Sequence, residues 1–197
     1  MLVERASDDV YLAGMLKSSL VHQLAWEHDF EIDSKKAGPQ SSPSWSWLSS
    51  FQPVRTNFID KSPDPLSPEL LSCSVQLADQ SSPFGHVLGG ELDLIATFTH
   101  SLIIPQATIN KFDVVIDRSS WKSSDLPRIS DTNEFLGEFY YYLYIGKANS
   151  TYSFGLLLQS MGDGMFIRKG LLHVSSKDAG ASIWLSEQAQ RMKLRLL

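Results

Sequence analysis

The chain has 197 residues, 43% hydrophobic and 20% charged, with a formal net charge of −5. This is the composition of an ordinary globular chain with enough length for one core, not of a disordered one. The acidic balance speaks against a nucleic-acid partner, which requires clustered Lys and Arg, and no apolar run approaches the roughly 20 residues of a membrane-spanning helix. A single cysteine, Cys73, forms neither an internal disulfide nor a cysteine zinc cage.

The first nine residues do not read as a signal peptide, because acidic Glu4, Asp8 and Asp9 follow a very short apolar start. The expected compartment is cytoplasmic. About residues 8–26 the spacing predicts a helix: Leu12, Met15, Leu16, Leu20 and Leu24 recur at three and four residues, with Asp8 or Asp9 as cap. Trp26, His28, Phe30 and Ile32 alternate as a strand start, and Lys35–Ser42 reads as a loop. Ser44–Ser50 is expected to be a short strand. About residues 52–68, with Pro63, Pro65 and Pro68, read as a mobile surface loop.

From Leu70 onward the pattern is almost all strand. Leu71, Cys73, Val75 and Leu77 alternate with polar residues, and Val87–His100 is a long extended run with Leu92, Leu94, Ala96 and Phe98 on one face. Gly89-Gly90 predicts a bulge or bend within it. Lys111–Asp117 and Glu138–Ile145 follow as strands. Tyr152–Gln159 and Met165–Val174 form a predicted hairpin over Met161-Gly162-Asp163-Gly164. Ile183–Leu185, a helical turn at 186–190 and a last strand Met192–Leu197 complete the chain, which shows no internal repeat. The fold class predicted is mainly β: an antiparallel sandwich or partly closed barrel in a single domain, residues 1–197, with one N-terminal helix.

Catalytic motifs are not evident. There is no G-x-S-x-G, and Gly146-Lys147-Ala148 lacks the earlier glycine and the hydroxyl of a phosphate loop. The histidines (His22, His28, His86, His100 and His173) have no metal-ligand spacing. Glu91 and Asp93 share one strand face, as a catalytic pair or a wet sheet face would. Asn149-Ser150-Thr151 matches a glycosylation sequon but reads as a turn. No catalytic residue, metal or cofactor is therefore assigned. Trp45 and Trp47 in Pro43-Ser44-Trp45-Ser46-Trp47 share one face if that segment is a strand. They read as core anchors, each burying on the order of 200 Å². The alternative is an aromatic platform for a sugar or small ligand, with Trp121 as a further member.

Three segments together resemble the region that follows the HET domain in fungal heterokaryon-incompatibility proteins. Asp9-Val10-Tyr11-Leu12-Ala13-Gly14-Met15-Leu16, with Leu24-Ala25-Trp26, is similar to that family's D-x-Y-L-A-G-L-W segment and downstream L-L-W. Ser42-Pro43-Ser44-Trp45-Ser46-Trp47-Leu48-Ser49 is similar to its A-P-S-W-S-W-A-S motif. Gly85–Leu94, Phe154–Leu158 and Phe166–Leu172 resemble its later strands. The motif residues Tyr11, Leu12, Gly14, Trp26, Pro43, Trp45 and Trp47 are expected to be structural. Leu16 stands where the family has Trp, Leu48 where it has Ala, and Phe51-Gln52 where it has an Asp-Gly turn. The HET domain itself is not recognised in these residues, so the resemblance carries over no catalytic residue. It implies a non-catalytic interaction or regulatory domain in non-self recognition. The implied partner is a protein, a HET domain or a full-length HET protein; no nucleic acid or membrane is expected.

Overall fold

The computed structural model describes residues 9–28, 42–50, 53–56, 59, 64–82, 84–100, 112–116, 141–148, 152–175 and 189–197. The elements in chain order are β1 (Tyr11–Leu12), β2 (Met15–Leu16), a 3₁₀ turn (Lys17–Ser19), α1 (Leu20–Gln23), β3 (Trp26–His28), a second 3₁₀ turn (Trp47–Ser49), β4 (Val54–Thr56), β5 (Glu69–Leu77), β6 (Val87–His100), β7 (Phe112–Ile116), β8 (Tyr141–Ala148), β9 (Tyr152–Gly162), β10 (Met165–Ser175) and β11 (Gln190–Leu196). Strand dominates, as the alternating patterns predict.

Five strands close on themselves. β6 pairs with β8, β8 with β9, β9 with β10, β10 with β11, and β11 returns to β6. The result is a small mixed barrel: every pairing is antiparallel except the short β10–β11 ladder, Met165↔Arg195 and Phe166↔Leu196. The expected sheet is thus antiparallel with one parallel seam. β6 makes closure possible through its length, since its first half also carries β5 while its end reaches β8. β7 adds to β10, and β3 with β4 forms a separate ribbon.

Inward side chains alternate along each strand and fill the barrel: Leu92, Leu94 and Ala96 from β6, Leu143 and Ile145 from β8, Leu156 and Leu158 from β9, and Leu194 and Leu196 from β11. Phe98, Tyr141 and Phe166, from three strands, bring their ring centroids within 4.9–5.2 Å of one another. The bulge between Arg168 and Gly170 keeps Arg168 and Leu171 on the same inner face. β9 and β10 turn through Asp163-Gly164, both with positive φ, as a two-residue hairpin requires.

Two expectations are corrected here. Residues 9–26 are not one helix. Ala13 (φ 45°) and Gly14 (φ 90°) make a tight turn that folds β1 back on β2, and the only α-helical residues of the segment are Leu20–Gln23. Asp9 does not cap a helix N-terminus; it accepts hydrogen bonds from the Ser18 hydroxyl and backbone N–H, which lower its pKa. Leu12, Met15, Leu20 and Leu24 are buried nonetheless, while Leu16 is 45% exposed. A tight hairpin followed by one helical turn buries residues at the spacing of an amphipathic helix. Ser44–Ser50 is likewise not a strand. It turns at Ser44-Trp45 and winds into a 3₁₀ turn capped by the Ser46 hydroxyl, which accepts from Leu48 N–H.

The described residues of the proline-containing stretch, 53–56, 59 and 64–68, are tied to the rest of the fold. They include β4, and Ile59 is buried. Asp64 accepts from the Tyr144 hydroxyl at 2.5 Å, the Leu66 carbonyl accepts from Thr97, and Arg191 donates to the carbonyls of Pro65 and Ser67. Burial and the Asp64 carboxylate push the Tyr144 phenol far up. β8 spans Tyr141–Ala148, three residues later than the predicted end at Ile145, and β5 begins at Glu69. Gln190 starts β11 and is not helical. The predictions for Phe30 and Ile32, Lys35–Ser41, the Asn149–Thr151 sequon, Ile183–Leu185 and residues 186–188 lie outside the described residues, as does Trp121.

Candidate functional site

Residues from most of the segments quoted above (9–16, 24–26, 42–49, 85–94 and 166–172) meet in one buried clasp. Trp26 donates its indole N–H to the Trp45 carbonyl at 2.8 Å, and Trp45 donates to the Gly90 carbonyl at 3.3 Å. Trp47 donates to the Gly14 carbonyl at 3.0 Å, and Ser46 donates its hydroxyl to the Ala13 carbonyl at 2.5 Å. Ser44 reaches the other way: its N–H and hydroxyl both donate to the Leu197 carbonyl, and its oxygen accepts from Arg168 N–H. The S-W-S-W turn therefore ties the N-terminal hairpin to β6, β10 and the end of β11.

Two glycines make room for the indoles. A β-carbon on Gly14 would stand 2.7 Å from the Trp47 ring, and one on Gly90 would stand 2.8 Å from the Ser74 carbonyl and 3.1 Å from the Trp45 ring. Gly14 also needs its positive φ.

Arg168 locks the other side. Its guanidinium is buried, donates to the carbonyls of Leu24 (2.6 Å) and Trp26 (2.5 Å), and lies 3.6 Å from the centroid of the Trp26 ring. The carbonyl bonds satisfy backbone acceptors otherwise buried at the end of α1 and the start of β3, and the indole face stabilises the cation.

The expected site residues thus resolve as follows. Trp26 and Trp45 are fully buried, Pro43 and Leu12 are buried, and Gly14, Tyr11 and Trp47 are half-buried. Trp45 and Trp47 do not share a strand face; their N–H groups point to different elements. The Trp45 ring has no exposed face for a ligand to stack on.

Two polar clusters lie outside the motif. Glu27 is fully buried on β3; its carboxylate is 2.7 Å from His173 Nε2 on β10 and 2.6 Å from Arg55 Nε on β4. The His173 ring packs edge-on against Phe154. A carboxylate that orients an imidazole is one half of an acid–base catalyst, but among the described residues no serine, threonine or cysteine side chain is bonded to His173. The separation of 146 residues explains why no sequence spacing announced this pair.

On the outer barrel face, Ser72, Asp93 and Arg195 stand in register across β5, β6 and β11. Arg195 grips Asp93 with two nitrogens at 2.7 and 3.2 Å and reaches Glu91 at 3.1 Å, while Ser72 donates to Asp93 at 3.0 Å. Chiefly because of Arg195, the Asp93 carboxyl falls to about 2. Glu91 and Asp93 are therefore both ion-paired to Arg195 across the sheet. An open pocket of about 380 Å³ beside them is lined by Asp93, Asp163, Met165, Lys193 and Arg195; Asp93 and the two cations in its wall already engage one another.

Among the described residues, no three His, Cys, Asp or Glu side chains group to hold a metal ion, and no helix is long and apolar enough to cross a membrane. No family model, curated protein or solved structure matches this chain.

Proposed function

We propose that this chain is a non-catalytic interaction or regulatory domain. It resembles the region that follows the HET domain in fungal heterokaryon-incompatibility proteins and acts through protein contacts in the cytoplasm during non-self recognition. One observation carries the reading. Residues quoted for the resemblance, Gly14, Trp26, Trp45, Trp47, Gly90 and Arg168, are scattered along the sequence yet touch in a single clasp. A motif whose side chains are spent on holding elements together is a signature of a fold, and recognition is then left to the surface. Burial of Trp45 weighs against the alternative of an aromatic ligand platform.

The test is expression of residues 1–197 in a fungal host. The chain alone is expected not to cause cell death, and co-expression with a full-length HET protein is expected to alter that protein's response through direct contact. Death caused by this chain alone, and abolished by His173→Gln or Glu27→Gln without loss of the fold, overturns the non-catalytic reading.

A further inference from the structure

β5 ends the hydrogen-bonded order of the large sheet. One edge pairs with β6; among the described residues, no backbone group pairs with the other. Open edges present unpaired N–H and C=O groups, and proteins blunt them with charge, proline or short length. β5 is nine residues long, ELLSCSVQL, with no proline and one charged side chain, Glu69, at its end. Its ladder with β6 shifts register twice: at Leu71, bulged between Leu70 and Ser72 and 43% exposed, and between Gln76 and Leu77, where Leu88 of β6 is passed over.

We propose that β5 is a self-association edge: two copies of this chain join β5 to β5, antiparallel, about a two-fold axis through Cys73. In that register the strand is complementary to itself. Ser72 faces Ser74 of the second copy. With Leu71 bulged as it already is against β6, Leu70 faces Val75 and Glu69 faces Gln76. The inner-face pairs are then apolar, Leu70 with Val75 and Cys73 with Cys73. These side chains are left only partly buried against the core of a single copy. The outer-face pairs are polar, and the lone carboxylate meets a neutral amide. Parallel pairing in register would instead set Glu69 against Glu69, a like-charge contact that costs stability. An isologous contact of this kind closes at two copies. This inference does not depend on the proposed function.

Sedimentation velocity of the full chain over a rising concentration series is expected to show a monomer–dimer equilibrium. A short bis-maleimide is expected to link the dimer through Cys73, the single cysteine. Ser72→Lys combined with Ser74→Lys sets lysine against lysine on the exposed face. It is expected to weaken association by about tenfold or more while the far-ultraviolet circular dichroism is unchanged. A chain that stays monomeric overturns the proposal, as does a dimer that does not cross-link at Cys73. A folded double-lysine variant that associates as tightly as the unaltered chain overturns it as well. The cross-link on the unaltered chain decides the matter if the variant does not fold.

Discussion

The indole N–H of Trp26 donates to the backbone carbonyl of Trp45 at 2.8 Å, and both side chains are fully buried. The bond joins the end of the N-terminal segment to the turn that plugs it against β6. A buried indole without a partner is costly, so each tryptophan here brings both apolar area and an obligatory polar contact.

Trp45→Ala is accordingly expected to lower stability by about 3–5 kcal/mol, a large share of what a domain this size has. Trp47→Phe keeps most of the ring but removes the bond to the Gly14 carbonyl, for an expected loss of about 1 kcal/mol. Urea denaturation monitored by circular dichroism measures both. Equal losses from the two substitutions would show that the buried Trp45 ring contributes no more than the single Trp47 hydrogen bond.

Gly14→Ala tests the turn. The new methyl would meet the Trp47 ring at 2.7 Å from a backbone with φ of 90°. Strain and displacement of Trp47 are expected together to cost about 2 kcal/mol or more. Gln23→Ala, on the half-buried face of α1, is expected to cost well under half as much. A Gly14→Ala protein that melts with the unaltered chain would show that the hairpin does not press on Trp47.

Arg168→Ala would leave the carbonyls of Leu24 and Trp26 buried without their donor and strip the cation from the Trp26 face. With two buried acceptors left unsatisfied at about 1–3 kcal/mol each, the expected loss is about 2–5 kcal/mol. Arg168→Lys keeps the charge but cannot span both carbonyls with a fork, so an intermediate loss is expected. Thermal unfolding separates the two. A neutral Arg168→Ala would mean that water replaces the guanidinium without cost.

Burial was more legible in the sequence than backbone path. β6 runs from Val87 to His100, where its alternation and flanking residues placed it, because period-two patterning in a long strand has few competing explanations. The β9–β10 hairpin was legible for the same reason, with Asp163-Gly164 as a turn signal. The N-terminal segment was not. Leu12, Met15, Leu20 and Leu24 face the core, but so would the same residues on a helix, and the positive φ that breaks it falls partly on Ala13, a residue that does not announce a left-handed turn. Trp45 and Trp47 do not share a face because Ser46 between them is buried and caps a 3₁₀ turn, which no local signal distinguishes from a strand. Glu27 with His173, and Arg168 with Trp26, are products of the fold and had no local signal.

The remaining prediction concerns acid. Asp93 sits in the hydrogen-bonded grip of Arg195, which lowers its carboxyl from 3.8 to about 2. A carboxylate whose folded pKa is depressed stabilises the fold fully above its unfolded value. That stability is lost as pH falls through the folded one. The window for Asp93 is therefore from just above pH 4 down to about pH 2. The pair lies on the outer face, with Arg195 partly exposed, so solvent screening reduces its contribution to about 1 kcal/mol. Asp93→Asn is expected to lower stability by about that amount at pH 7 and to flatten the acid dependence between pH 4 and 2. Arg195→Gln is expected to flatten the acid dependence in the same way, and the double variant to add less than the sum of the two, because both changes remove the Asp93–Arg195 pair. Parallel acid-stability curves for Asp93→Asn and the unaltered chain would place the acid sensitivity in other carboxylates.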